Sequence, residues 1–243
     1  FFVFLINVLF AQNELPFPSK NEEIVKHSGF TLSYNEDYEQ ASWVAYELTV
    51  DELIKKVKRS DNFKKDGKVS TGSALPSDYA KSGYDRGHLA PAADLSWSEL
   101  SMKESFFMSN MSPQKPGFNR GVWKKLEGYV RQWASDNNAI YVVTGGVLKD
   151  IDQYIGKSNV GVPNYYYKVI LDYTGPEKKG IGFILPNKSS SKKLQLSAVS
   201  IDEVEALTGI DFFHSLPDNE ESLLESQFNV NQWRFKTYVS ESN

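Results

Sequence analysis

The sequence predicts an α+β fold: a mainly antiparallel sheet with flanking helices. The segments "AIYVVTGGVL", "NYYYKVILDY" and "GIGFILP" read as three strands in succession, without the helical crossovers that a parallel sheet requires. The clearest helix runs from Asn119 to about Asp136, with Val122, Trp123, Leu126, Val130 and Trp133 on one side at three- and four-residue spacing. Those residues are core. "SIDEVEALTG" adds a helix opened by a capping box, Ser200 to Glu203, and stopped at Gly209.

The remaining elements follow in chain order. "FFVFLINVLFAQ" is an apolar run too short to span a membrane. It resembles the apolar core and cleavage end of a secretory signal peptide, with a buried strand as the alternative. Residues 1–12 are therefore expected to be a signal-peptide remnant, residues 13–243 a single domain, and the product secreted or periplasmic with no membrane anchor left. "ASWVAYELTV" alternates as a strand does. Asn62 to Asp85 is turn-rich and reads as a long surface connection. "SWSELSMKESF" suggests a short helix, "FFMSNMSPQ" a brief buried strand running into a loop, and Asn219 to Ser226 a last helix.

Composition excludes several chemistries. The 243 residues contain no cysteine and three histidines, His27, His88 and His214. Disulfides, thiolate zinc sites and a cysteine nucleophile are ruled out, and an all-histidine metal site is disfavoured. Any metal is expected on oxygen ligands, hence a hard cation. The net charge of −4 gives no global sign of a nucleic-acid partner. Locally, Lys55, Lys56, Lys58, Arg59, Lys64, Lys65 and Lys68 crowd one stretch against Asp61 and Asp66. Such a run is either solvated surface or the wall of a basic groove. No P-loop, "HExxH" or "GxSxG" is present.

Chemistry concentrates in "YDRGHLAPAADLSW". Phosphodiester hydrolysis needs a base for water, positive charge on the phosphorane and stabilisation of the leaving oxygen. A neutral His88 supplies the base, with activity expected to decline below pH ~6 as it protonates. Arg86 supplies a fork of donors for phosphate. Two positions apart on an extended strand, they share a face, while Asp85 projects to the other and can pin the local backbone. Asn110 follows an apolar segment, and Asn119 opens the amphipathic helix as a neutral oxygen ligand suited to hydrated Mg²⁺. Glu127 lies about 80° around that helix, on the same broad side. Asn119 could equally be a helix N-cap, and Glu127 an exposed partner of Lys124 or Arg131.

Together, "DRGHLAPAAD", "SNMSPQ", "FNRGVWKKLE" and "YVVTGG" resemble, in order and spacing, the DNA/RNA non-specific endonucleases, the group of Serratia nuclease and endonuclease G. The resemblance implies a ββα-metal finger as the active unit. It implies His88 as general base and Asn119 as the one direct ligand of a hydrated Mg²⁺, with Mn²⁺ as a substitute. Glu127 would act through a water of the metal, Arg86 on phosphate and Asn110 in positioning the site. Arg59 would match an upstream phosphate-binding arginine. DNA and RNA would be cut without sequence preference, leaving 5′-phosphates. The alternatives are an inactive nucleic-acid-binding module of the same fold, or a phosphodiesterase for a smaller substrate.

Overall fold

The structure is a computed structural model that describes residues 18, 19 and 22–235. The expected signal segment, 1–12, lies outside them. Strands β1 (Glu23–Lys26), β2 (Thr31–Asn35) and β3 (Gln40–Thr49) open the chain. Then come β4 (Asp85–His88), α1 (Glu99–Glu104), β5 (Met111–Gln114), α2 (Lys124–Asn137) and β6 (Ala139–Gly146). Two short strands, β7 (Tyr154–Ile155) and β8 (Val160–Gly161), precede β9 (Tyr165–Asp172), β10 (Lys179–Pro186) and β11 (Ala198–Val199). Helices α3 (Ile201–Thr208) and α4 (Asp218–Ser226) follow.

Seven strands form one sheet in the order β1-β2-β3-β6-β9-β10-β11, every pair antiparallel. Its central strands are buried on both faces, so period-two alternation sorts apolar residues between two cores rather than between core and solvent. Val44, Tyr46, Leu48, Ile140, Val142 and Ile170 face Leu126, Val130 and Trp133 of α2. Trp43, Ala45, Val143, Val169 and Leu171 face Ile201 and Val204 of α3 and Leu224 of α4. Burying a leucine- or valine-sized side chain contributes about 1.5–3 kcal/mol, so these two layers hold the helices to the sheet.

Some expectations are refined. "FFMSNMSPQ" is a single 3₁₀ turn, Met108–Asn110, before β5. The helix expected from Asn119 begins regularly only at Lys124, after a wide π turn over Phe118–Trp123 in which Gly121 leaves helical geometry. α3 keeps its capping box, with Ser200 Oγ accepting from the Glu203 amide, and ends at Gly209. β1, β2, β7, β8 and β11 had no reading in the sequence.

Candidate active site

β4 pairs antiparallel with β5 as a separate two-stranded sheet, Asp85 opposite Gln114 and His88 opposite Met111. The π turn and α2 follow β5 directly, so the local unit is ββα. Gly87 is required where it stands: a Cβ there would lie 2.2 Å from the Gln114 side chain, far inside van der Waals contact.

His88 is buried, 8% exposed. Its ring stands edge-on to Phe106 at 4.9 Å and to Phe63 at 5.7 Å between centroids. The Arg86 guanidinium lies 4.1 Å over that same Phe63 ring, so Arg86 and His88 share a face as the two-residue spacing predicts. Arg59 lies 4.8 Å over Phe106 and is tied to Asp61 at 2.6 Å. Backbone bonds from Lys64 N to Phe106 O, 3.2 Å, and from Met108 N to Lys64 O, 2.9 Å, stitch this basic stretch against the site. Two arginines and two phenylalanines thus frame one imidazole.

That frame changes the titration of His88. Burial first, then the charges of Arg59 and Arg86, push its pKa down to about 3. The acid limb near pH 6, expected from an unperturbed imidazole, is corrected: His88 stays neutral throughout that range. Its Nε2 is buried without a hydrogen-bond partner, so aromatic packing sets the ring's orientation.

Asp85 departs from its expected part as a backbone pin. Its Oδ2 accepts from Asn119 Nδ2 at 2.9 Å and from Arg120 Nε at 2.9 Å, while Oδ1 accepts from Arg120 Nη2 at 2.7 Å. Burial pushes its carboxyl up, but those bonds outweigh burial and hold it below the ordinary carboxylate range. With Nδ2 committed to Asp85, the amide oxygen is what Asn119 has left to offer a cation. Asn119 is not an N-cap; it sits inside the π turn.

Asn110 is fully buried. Its Oδ1 accepts from Ala90 N at 2.9 Å, and its Nδ2 donates to Ala90 O and Ser105 O, each at 2.9 Å. An amide so fully used fixes the backbone two residues beyond His88 and touches no solvent; it positions.

Glu127 is half-buried on α2, and Arg131 pairs not with it but with Asp94, at 2.7 Å. Tyr46 also donates to Asp94, at 2.9 Å. Burial raises the Glu127 carboxyl, while the charges of Lys168, Arg131 and Arg59 oppose that rise. The Arg59 charge acts on both Glu127 and His88. A groove beside the site is lined by Lys55, Arg59, Ala93, Ser96, Met102 and Arg131.

Three residues here had no reading as site residues. Gln114 is fully buried, with neither side-chain polar atom partnered. Lys168 is fully buried on the α2 face of β9, its Nζ 4.8 Å over Trp123. Phe63 touches both the Arg86 guanidinium and the His88 ring. Lys168 left one signal, a lone cation in "YYYKVILDY". The other histidines lie apart from this frame. His27 is held by Asp66 at 2.9 Å and Glu104 at 3.4 Å, and His214 is exposed.

Comparison with known proteins decides the family. A family model described as DNA/RNA non-specific endonuclease matches residues 10–219. The chain belongs to that family. This endonuclease is 36% identical over 220 residues to nuclease C1 of Cunninghamella echinulata var. echinulata, covering 82% of this chain and 86% of that one. It is 32% identical over 205 residues to mitochondrial endonuclease G of Bos taurus, covering 78% and 69% of the two chains. The EndoG chain in a crystal structure of the EndoG/EndoGI complex superposes with a TM-score of 0.75 at 30% identity, covering 82% of this chain and 88% of that one. The enzyme is therefore a nuclease with an α+β fold, and nucleic acid is its substrate class.

Proposed function

We propose that this endonuclease hydrolyses phosphodiester bonds in both DNA and RNA without sequence preference, with His88 as general base. The observation that carries the reading is the double use of β4. One face carries Arg86 and His88 around Phe63, and Asp85 grips the Asn119 amide. Base, phosphate-binding cation and cation ligand thus converge through one short strand.

His88, neutral because of its burial, takes the proton of the attacking water. Arg86 and Arg59 balance the charge that grows on the phosphorane oxygens. The P–O3′ bond breaks, leaving a 5′-phosphate on one fragment and a 3′-alkoxide on the other, which takes its proton from solvent water.

The donors fit a hard divalent ion, Mg²⁺ or Mn²⁺. Asn119 has its amide oxygen available and Glu127 a carboxyl group, and the chain has no cysteine to offer a thiolate. Asn119 would hold the ion directly and Glu127 through water. When bound, the ion supplies positive charge to the phosphate and leaving oxygens. Export is part of the proposal: the apolar run Phe1–Gln12 is followed at once by the polar, proline-bearing "NELPFPSKNEE", as at the end of a secretory signal. Among the described residues, no helix is long and apolar enough to cross a membrane.

The test is incubation of purified protein with supercoiled plasmid and with RNA, in Mg²⁺ and in EDTA. Cleavage of both, abolished by EDTA, with 5′-phosphate ends, is expected. Full activity in EDTA would overturn the metal assignment, and 3′-phosphate ends would overturn the attack by water.

A further inference from the structure

On the sheet face opposite α2, a second group of carboxylates has no part in the nuclease reading. Asp202 and Glu205 are three residues apart on α3, hence neighbours on one side of the helix. Glu225 comes from α4. One ligand oxygen from each of the three lies within 4.8 Å of the others. We propose that Asp202, Glu205 and Glu225 form a structural cation site that takes Ca²⁺ and clamps α4 to α3.

Acidic clusters on surfaces are common, and proximity alone would mean little. Glu225 makes the difference: it is 4% exposed, and its Oε1 is buried with no hydrogen-bond partner. A carboxylate taken out of water without a partner is strongly unfavourable, so this one needs a proton or a cation. The sequence builds the burial deliberately into the sheet. At Gly180 on β10, a Cβ would come within 2.7 Å of Ile201 and 2.8 Å of the Leu224 carbonyl. Only glycine lets both helices sit so low. Leu224, Ile201 and Val204 then pack in one core, and the next residue, Glu225, is drawn in beside α3.

The other two ligands are arranged differently. Glu205 is held by the Phe212 amide, which donates to its Oε1 at 2.8 Å. Asp202 is exposed, leaving the ion an approach from solvent. Asp211 and Glu221 add negative charge nearby and, after burial itself, help push Glu225 up to about 8 along with Glu205 and Asp202. Three carboxylates, one buried and one exposed, on two helices make an irregular, all-oxygen set. Ca²⁺ accepts such sets at ligand distances of about 2.3–2.6 Å and completes its shell with water, whereas Mg²⁺ demands near-ideal octahedra.

The test uses full-length protein carrying Asn119→Ala, so that the nuclease site does not contribute a metal signal. Calorimetric titration with CaCl₂ should show binding, and Tm should rise by about 3–6 °C at a tenfold excess over Kd. Adding Glu225→Gln should weaken Ca²⁺ binding at least about tenfold, since even outer partners of metal ligands cost about 10–100-fold. Should that protein fail to fold, Asp202→Asn, at an exposed position, should weaken binding comparably. Binding indifferent to both substitutions would overturn the proposal. So would the absence of any Ca²⁺ effect with Glu225→Gln raising Tm at about pH 8, because the carboxyls would then share protons instead of an ion.

Discussion

His88, the proposed base, is held neutral by its surroundings. Burial, Arg59 and Arg86 hold its pKa at about 3, against about 6.5 in an unfolded chain. As pH falls through about 6.5 the unfolded state takes up the proton and the folded state does not, so stability declines from there toward about pH 3. At about pH 5 the part due to His88 is about 2 kcal/mol. Denaturant unfolding at about pH 7.5 and about pH 5 should show that loss in the wild type, and His88→Ala should show a smaller pH dependence. Equal pH sensitivity in the two proteins would mean the depressed imidazole is not at position 88. The same arithmetic removes His88 as the source of any activity loss near pH 6.

At the scale of elements, the site depends on how β4 is tied to the π turn ahead of α2. Asp85 makes that tie through Asn119 and Arg120. Asp85→Ala should free the Asn119 amide and, on the proposal that Asn119 holds the ion, lower activity by about 10–100-fold. The Mg²⁺ concentration for half activity should rise; an unchanged Mg²⁺ response would leave Asp85 a purely structural role. The sequence announced β3, β6, β9, β10 and α2 through apolar periodicity, and α3 through its cap. β1 and β2 were not announced because "EIVK" and "TLSYN" are short and gain their burial from strands far along the chain. His88 and Arg86 were legible as candidates because they stand two residues apart in "DRGH", and Asn119 because it precedes an amphipathic helix. Gln114, Phe63 and Lys168 were not, since their relation to the site is made only when β5 pairs with β4, the basic stretch docks on Phe106, and β9 passes beneath α2. Asp85 was seen but assigned to the wrong partner, because nothing in "DRGH" says that the helix beginning is within reach.

The whole molecule is acidic, with a net charge of −4, yet its proposed substrate is a polyanion. The contradiction is resolved locally: Lys55, Lys56, Lys58 and Arg59 are exposed, and Lys55 and Arg59 line the groove with Arg131. Other members of the basic run serve the fold instead; Lys68 pairs with Glu104 at 3.1 Å. Neutralising Lys55, Lys56, Lys58 and Arg59 together should weaken DNA binding and flatten its salt dependence. Unchanged affinity and slope would place the groove elsewhere. Everything nonetheless turns on one imidazole. The most direct measurement is the single-turnover rate on supercoiled plasmid, at saturating Mg²⁺, for folded His88→Ala beside His214→Ala as control. His88→Ala should be slower by at least about 10²–10⁴-fold with substrate binding little changed, and the control near wild type. A folded His88→Ala protein that nicks plasmid at close to the wild-type rate would contradict the account.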